Sequence, residues 1–485
     1  MATPIPSNRA EFSLSEIARV CGGELKGGKS DEIITGIATD SRAVTSGCLF
    51  VAIRGERLDG HDFVEQALQR GASCVLAQRA SLLRCSVPVV EVNDTTRALG
   101  DLAQTYRNRF SGIVVAITGS VGKTTTKELA VKALAATEDR VLSTVGNLNN
   151  LVGLPMTLFT LDREYDVAVL ELGSSAPGEI ARLAEITRPQ VGVVTSVALA
   201  HTLGFGTIAR VAEEKASLLK ALSASGTAIY NIDSEPLRPL LAEISAERRI
   251  SFGSGKQADV RLVSRIVEPE LPTRCRYEIA QLDRILDAEL PLLGKAAALD
   301  AAAALAVLLA IKGPQGLSAA CSAFRQVKPL SGRLKPVFGP RQSLLLDDTY
   351  NSNPESALAS LGTGRELAEK RDTRALAILG DMAELGDHSQ SEHERIGREA
   401  VGLGYAALIL CGEEMAAARD AALRASRDGA ADKKPEIHHV VDPRDAIPIA
   451  RALIEKGDVV LIKGSRFMEM ERVLNGLTKR QGDVT

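Results

Sequence analysis

Short apolar runs alternate with segments of helical period along the middle of the chain. The run at 113–117, Ile-Val-Val-Ala-Ile, is rich in β-branched residues and is bounded by Gly112 and Gly119, which is typical of a strand buried on both faces. Further apolar runs at 167–170, 191–194 and 228–230 are separated by helical patterns. This alternation predicts a mostly parallel sheet covered by helices.

The pattern divides the chain into three regions. Before residue 109, apolar runs at 49–53, 74–76 and 87–92 mix with helical patterns. After residue 330, alternating strand and helix patterns predict a second doubly wound sheet, with strand candidates at 343–346, 375–379, 407–410 and 459–462. We therefore expect an α/β protein of three domains: a small α/β domain at 1–108, a central domain with the mostly parallel sheet at 109–330, and a Rossmann-like domain at 331–485.

The composition agrees with a multidomain globular protein. The chain has 485 residues, of which 45% are hydrophobic and 25% charged, and this length supports about three domains. Aromatic residues make up only 3%, and the net charge is −3, so nucleic-acid binding is not indicated. The seven cysteines form no Cys-x-x-Cys pair, which favours reduced thiols in the cytosol over a disulfide framework.

Two segments bear on location. The N-terminus lacks the basic and apolar regions of a signal peptide. The most apolar stretch, 296–311, is interrupted by Asp300 and is shorter than the ~20 residues of a membrane span. We expect this stretch to be a helix in a protein core. The protein is accordingly expected to be cytoplasmic, without an integral membrane segment.

A glycine-containing turn follows the strand at 113–117. Glycines allow backbone N–H groups to face an anion, and the helical pattern that follows presents its positive N-terminus. Lys123 is placed to reach the β- and γ-phosphates of a nucleotide, and Thr124 to hold Mg²⁺. The full phosphate-loop pattern has glycine at 117, where this chain has isoleucine, so a plain strand-to-helix turn is the alternative. The candidate phosphate-binding residues are Gly119, Ser120, Val121, Gly122, Lys123, Thr124 and Thr125.

Three further polar residues follow or lie near strand candidates. Glu171 ends the run at 167–170, where a carboxylate is suited to Mg²⁺; a surface glutamate is the alternative. His201 follows the run at 191–194, and a lone histidine is more often structural. Lys215 lies in a helical pattern and in isolation is expected to be a solvated lysine.

Taken together, these residues resemble the Mur ligases, the cytoplasmic enzymes that extend the peptide of the peptidoglycan precursor. The strand with Thr-Gly-Ser-x-Gly-Lys-Thr-Thr, then Glu171, His201, Lys215 and Asn231-x-Asp233, occur in the order of that family. The match is spread over nearly the whole chain.

The resemblance implies a two-stage reaction. A substrate carboxylate attacks the γ-phosphate of ATP and becomes an acyl phosphate, which an amine then attacks. The resemblance also implies two Mg²⁺ ions, one between Thr124, Glu171 and the phosphates, and one held by His201 and a carbamate that CO₂ forms on Lys215. The implied catalytic residues are Lys123, Glu171, His201, Lys215 and Arg333, the last as a phosphate clamp.

Within the family, the pattern most resembles the members that add D-alanyl-D-alanine to UDP-N-acetylmuramoyl-tripeptide. Their motifs are matched at 347–354 and 379–386, and the resemblance places Asp348 and Asn351 near ATP. The Asp-Asn-Pro-Arg signature of the member that adds a diamino acid is not found. A monomer is expected, in which the first domain binds the uridine nucleotide. The implied residues for the UDP-muramyl-peptide are Ser41, Arg42, Asp59, His61, Asn147, Asn149 and Asn150.

One stretch departs from the family. Members usually have Gly-basic-His-Asn followed by a second Asn before the alanine-rich helix. Here His and the first Asn are replaced by Ala296 and Ala297, and Asp300 takes the place of the second Asn. The departure puts the usual contacts to the nucleotide base in doubt. We expect it not to involve the phosphate or metal residues.

Two other functions compete. Folylpolyglutamate synthase shares the phosphate loop and the core layout, but it lacks a uridine-binding first domain, so the residues before the loop argue against it. A phosphate-loop switch, or a sugar-nucleotide-binding protein without ligase activity, is the second alternative. The set of Glu171, His201 and Lys215 argues against this alternative. These residues imply a second metal site, and a switch needs none.

Overall fold

The computed structural model describes residues 3–55, 57–78, 85–198, 202–270, 272–428 and 434–478. Within these residues the strands form sheets of two, five, nine and six strands. The predicted α/β fold with mostly parallel sheets is confirmed.

The first region contains the five-stranded sheet, in the order β2-β7-β6-β5-β4. Strands β4 to β7 pair in parallel and β2 pairs antiparallel to β7, while β1 and β3 form a separate antiparallel pair. The strands are β1 (Glu11–Ser13), β2 (Glu24–Lys26), β3 (Ile33–Thr35), β4 (Ile37–Ala38), β5 (Leu49–Val51), β6 (Cys74–Ala77) and β7 (Val89–Glu91); the helices are α1 (Leu14–Cys21), α2 (Val64–Gln69) and α3 (Thr95–Arg107).

The central region contains the nine-stranded sheet, in the order β16-β15-β14-β13-β12-β11-β8-β10-β9. The seven strands β14, β13, β12, β11, β8, β10 and β9 each pair in parallel with their neighbours. Strands β15 and β16 then extend the sheet beyond β14 by antiparallel pairing. The strands are β8 (Ile113–Thr118), β9 (Val141–Ser143), β10 (Val167–Glu171), β11 (Val191–Val194), β12 (Thr227–Asn231), β13 (Arg248–Gly253), β14 (Val260–Ile266), β15 (Thr273–Ile279) and β16 (Arg284–Leu290). The helices are α4 (Lys123–Ala135), α5 (Gly153–Leu158), α6 (Glu179–Thr187), α7 (Thr202–Phe205), α8 (Ile208–Lys220), α9 (Gly294–Lys312) and α10 (Leu317–Ala323).

Helix α9 is the alanine-rich helix that the sequence predicts for a core. By length and apolar composition alone it could cross a membrane, but most of it is buried inside the protein. Its small side chains allow it to pack closely against α4 and the central sheet, and the residues from Ala301 to Leu308 are fully buried. The prediction of a core helix is confirmed.

The last region contains the six-stranded sheet, in the order β17-β18-β22-β19-β20-β21. All its pairings are parallel except that of β17 with β18. The strands are β17 (Lys335–Phe338), β18 (Leu344–Asp348), β19 (Ala375–Gly380), β20 (Ala407–Cys411), β21 (Glu436–Val440) and β22 (Val459–Lys463); the helices are α11 (Pro354–Lys370), α12 (Ser389–Gly402), α13 (Met415–Asp428), α14 (Ala446–Leu453) and α15 (Glu471–Thr478).

The central and last regions pack against each other. Val267 and Leu293 of the central region lie in the hydrophobic core that covers the last sheet. Arg265 on β14 also forms an ion pair of 2.6 Å with Glu366 on α11. These contacts place the central and last sheets on either side of one large cavity, near which several parallel strands have their carboxyl ends. Ligands of parallel sheets usually bind at such ends.

Candidate active site

The phosphate loop connects β8 to α4 in a conformation that requires glycine at two positions. Gly119 has φ of 148° and Gly122 has φ of 91°, both in the region that side chains disfavour. A Cβ atom at 119 would lie 2.1 Å from the Thr195 hydroxyl. The loop therefore keeps the strand–loop–helix geometry of a phosphate site although Ile117 replaces its usual first glycine.

Lys123 and Thr124 begin helix α4 and face the cavity. The Lys123 ammonium donates a hydrogen bond of 2.6 Å to the carbonyl of Gly119. Burial lowers the pKa of Lys123, and the charge of Arg333 adds to this effect while Glu171 opposes it. The oxygens of a bound phosphate would supply negative charge that stabilises the cations Lys123 and Arg333.

Glu171 ends β10 beside the loop and is almost fully buried. Its carboxylate accepts hydrogen bonds from the Thr124 hydroxyl at 2.9 Å and from the Asn149 amide at 2.8 Å. One carboxylate and one hydroxyl beside a phosphate site suit Mg²⁺, which takes few protein ligands and completes its shell with phosphate and water. The described residues contain no cluster of three or more His, Cys, Asp or Glu suited to a metal.

Lys215 lies on α8 with only 3% of its surface exposed. Its ammonium donates a hydrogen bond of 2.6 Å to the Ser174 hydroxyl and lies 5.9 Å from the ring centre of Phe205. Burial, with the charge of Lys123, lowers the pKa of Lys215 to about 7. At neutral pH a large fraction of this amine is therefore uncharged, and only the uncharged amine reacts with CO₂. His201, the partner expected for this site, lies outside the described residues.

Arg333 approaches the loop from the segment that leads into β17. Its guanidinium donates a hydrogen bond of 3.0 Å to the Thr124 hydroxyl and stacks on Tyr350 at 4.5 Å. Gly332 precedes it with φ of 76°, and a Cβ atom there would lie 2.8 Å from Tyr350. The close approach of the two chain segments thus directs Arg333 toward the loop.

Asp348 and Asn351 line the cavity at the end of β18. The Asp348 carboxylate accepts hydrogen bonds of 2.6 Å from both Lys463 and Ser360. The Lys463 ammonium also donates to the carbonyl of Asn351 at 2.9 Å. Asp348 therefore holds Lys463, at the end of β22, and both Asp348 and the exposed Asn351 line the cavity.

The cavity between the two sheets has a volume of about 1180 Å³, which is ample for a nucleotide and part of a second substrate. All the described residues that line the cavity lie after position 119. Those predicted from the sequence are Ser120, Val121, Gly122, Lys123, Thr124, Thr125, Asn149, Asn150, Glu171, Arg333, Asp348 and Asn351.

The other residues predicted for the UDP-muramyl-peptide lie away from the cavity lining. Ser41 donates a hydrogen bond of 2.6 Å to Gln66, and Arg42 forms an ion pair with Asp40. Asp59 holds His61 at 2.6 Å. Asn147 is exposed, and its backbone N–H donates to Thr3 at 3.3 Å. The first four belong to the first region of the chain, so the structure does not bring them together with the phosphate loop.

The expectation for Asp300 was wrong in one respect. Asp300 accepts a hydrogen bond of 3.1 Å from the Thr126 hydroxyl, and its carboxyl group lies directly against Gly122. The departure from the family pattern therefore does involve the phosphate loop. The cause is the packing of α9 on α4, which turns Asp300 toward the loop.

The sequence interpretation missed three residues that support the site. Ser174 holds Lys215, Tyr350 stacks on Arg333, and Thr144 accepts a hydrogen bond of 2.9 Å from the backbone N–H of Glu171. Ser174 and Tyr350 share a signal of position, because each follows a strand candidate, where polar residues of parallel sheets gather. Thr144 follows β9, a short strand that the apolar runs did not predict.

Three family models match successive parts of the chain. Residues 33–107 match the model described as Mur ligase family, catalytic domain; residues 117–308 match the Mur ligase middle domain; and residues 332–466 match the Mur ligase, glutamate ligase domain. The three matches together cover most of the chain.

Full-length relatives and solved structures agree with these family matches. The UDP-N-acetylmuramoyl-tripeptide–D-alanyl-D-alanine ligase of Escherichia coli (strain K12) is 35% identical over 96% of this chain and 98% of its own length. MurF from Acinetobacter baumannii has a TM-score of 0.86 at 28% identity, covering 97% of this chain and 99% of its own. The MurF ligase from Thermotoga maritima in complex with ADP has a TM-score of 0.79 at 29% identity, covering 91% and 96%. The chain belongs to the Mur ligase family.

Proposed function

We propose that this chain is an ATP-dependent ligase that joins D-alanyl-D-alanine to the terminal carboxyl group of UDP-N-acetylmuramoyl-tripeptide. One observation carries the chemical part of the proposal: Thr124 lies between Glu171 and Arg333, at the start of a helix that follows a phosphate loop. Full-length relatives with that activity support the choice of substrates.

The first stage brings together two anions, the substrate carboxylate and the γ-phosphate of ATP. Lys123 and Arg333 both line the cavity beside the phosphate loop, where their positive charge lowers the electrostatic barrier to the approach of the two anions. The carboxylate oxygen bonds to phosphorus, the bond to the ADP oxygen breaks, and an acyl phosphate forms. In the second stage the amine of the dipeptide attacks the acyl carbon, its nitrogen loses a proton, and phosphate leaves with the C–O bond electrons.

Thr124 and Glu171 fit a Mg²⁺ ion, which would neutralise phosphate charge in this reaction. Lys215 in its uncharged form would react with CO₂: its Nζ bonds to carbon, one proton leaves, and a carbamate anion results. A carbamate is an oxygen ligand, so Lys215 with His201 would hold a second Mg²⁺. The low pKa of Lys215 supports this assignment.

The three regions divide the work. We assign the uridine nucleotide to residues 1–108 through Ser41, Arg42, Asp59 and His61, and the muramyl peptide to Asn147, Asn149 and Asn150. Residues 109–330 bind the phosphates of ATP, and residues 331–485 contribute Asp348 and Asn351 to the nucleotide. The enzyme acts as a monomer in the cytoplasm, where UDP-linked precursors and ATP are available.

Folylpolyglutamate synthase is the competing assignment. The synthase of Mycobacterium tuberculosis has a TM-score of 0.59 at 19% identity, which shows a shared fold alone. The first region of this chain argues against it, because a five-stranded sheet precedes the phosphate loop and matches a Mur ligase model.

Phosphate release from ATP tests the proposal. We expect release only when UDP-N-acetylmuramoyl-tripeptide and D-alanyl-D-alanine are both present. Release that instead requires glutamate and a folate would replace the proposal with the competing one.

A further inference from the structure

Asp300 joins helix α9 to the phosphate loop from inside the protein. Its side chain is 7% exposed, and the Thr126 side chain that donates to it is fully buried. Thr126 occupies the first turn of α4, only two residues after Thr124. The contact therefore fixes the start of helix α4, whose first backbone N–H groups are the ones available to a phosphate.

The carboxyl group of Asp300 also fills the space beside Gly122. A Cβ atom at 122 would lie 2.2 Å from one carboxyl oxygen and 3.0 Å from the carboxyl carbon. Gly122 adopts φ of 91° and immediately precedes α4. Asp300 thus contacts both ends of the turn, the glycine that starts it and the threonine that ends it.

The charge of Asp300 is compatible with a bound phosphate. Burial raises the pKa of Asp300 to about 8, although the Thr126 hydrogen bond and the charge of Arg333 oppose this shift. The carboxyl group is therefore mostly neutral at pH 7, and it does not repel an anion in the loop.

We propose that Asp300 is a positioning residue for nucleotide binding, which holds Gly122 and Thr126 so that the loop is arranged for phosphate before ATP arrives. An arranged loop loses less conformational freedom on binding, and its affinity is higher for that reason. The proposal rests on the proposed function only in taking ATP as the ligand of the loop.

Calorimetric titration with ADP and Mg²⁺ tests this role without requiring ligase activity. Asp300→Ala should weaken ADP binding about tenfold, the effect expected when one buried hydrogen bond and its packing are lost. Asp300→Asn should stay within about twofold of the unaltered chain, because its amide oxygen still accepts from Thr126. Thr126→Val should weaken binding as Asp300→Ala does, and it reports on the same contact if Asp300→Ala does not fold.

Tyr277→Phe is the matched control. It removes a buried hydrogen bond of 2.9 Å to the carbonyl of Ala298 on the same helix and keeps both partners of the hydrogen bond between Thr126 and Asp300. It should lower the melting temperature while leaving ADP affinity unchanged, which separates a general loss of stability from a loss of loop positioning. Equal ADP affinity in Asp300→Ala, Thr126→Val and the unaltered chain would overturn this inference alone. Failure of the unaltered chain to bind ADP would overturn it together with the proposed function.

Discussion

The guanidinium of Arg333 donates a hydrogen bond of 3.0 Å to the hydroxyl of Thr124. The same hydroxyl donates to Glu171 at 2.9 Å. A cation from one region and a carboxylate from another thus meet at one residue of the phosphate loop. This arrangement couples the position of the last region to the place where the phosphates bind.

Arg333 should act mainly by stabilising the transferred phosphate. We expect Arg333→Ala to lower kcat/KM for ATP by about 100-fold, because a charge-assisted contact in the transition state is lost. Arg333→Lys should recover only part of the rate, since lysine lacks the planar group that both contacts Thr124 and stacks on Tyr350. Arg276→Ala is the control: this arginine is paired with Asp287 outside the cavity, and its loss should leave kcat/KM unchanged. Equal rates in Arg333→Ala and the control would contradict the assignment.

Glu171 should determine the requirement for Mg²⁺. Glu171→Gln keeps the shape of the side chain and removes its charge, so the Mg²⁺ concentration for half-maximal activity should rise at least tenfold, with a lower maximal rate. The measurement is activity against Mg²⁺ concentration at saturating ATP. Glu164→Gln, in an exposed loop before β10, should show the unaltered curve. If the activity curves of Glu171→Gln and the control coincide, the assignment of Glu171 as a Mg²⁺ ligand is contradicted.

Lys215 should be essential through its carbamate. Lys215→Ala should abolish turnover, and a short carboxylic acid added to the assay should restore part of it by supplying the missing oxygen ligand. Lys220→Ala, on the same helix, removes an ion pair with Glu243 and should retain activity. Undiminished activity in Lys215→Ala would contradict the carbamate.

Asp300 should make stability depend on pH. In the unfolded chain its carboxyl group ionises near pH 4, whereas in the folded protein burial raises its pKa to about 8. The folded state therefore binds more protons between pH 4 and 8, and the contribution of Asp300 to the free energy of unfolding falls across that range and is constant above it. Asp300→Asn cannot titrate, so its stability relative to the unaltered chain should increase from pH 5 to pH 8. Denaturant unfolding at both values measures this, and a constant difference would contradict the prediction.

The strands of the parallel sheets could be predicted because they are buried on both faces. The runs at 113–117, 167–170 and 375–379 are continuously apolar, and each is a strand. The antiparallel strands β14 to β16 were missed because only one of their faces is buried. In β15, Cys275 and Tyr277 are buried while Arg274 and Arg276 are exposed, an alternation that a search for apolar runs overlooks.

Part of the site could be predicted for a similar reason. Glu171 ends β10 and the phosphate loop follows β8. These two strands are parallel neighbours, so their carboxyl ends lie at the same edge of the sheet. The contact of Asp300 with Thr126 spans 174 positions and depends on how α9 is rotated against α4. That rotation is set by side-chain packing between the helices, which local sequence patterns do not determine.

Transfer of oxygen from the substrate to phosphate tests the central claim most directly. The tripeptide carboxyl group is labelled with ¹⁸O, the enzyme is supplied with ATP and D-alanyl-D-alanine, and the released phosphate is examined by mass spectrometry. An acyl phosphate intermediate predicts one ¹⁸O atom in each phosphate, because the attacking carboxylate oxygen leaves with phosphorus. Amide product accompanied by unlabelled phosphate would contradict the proposed reaction.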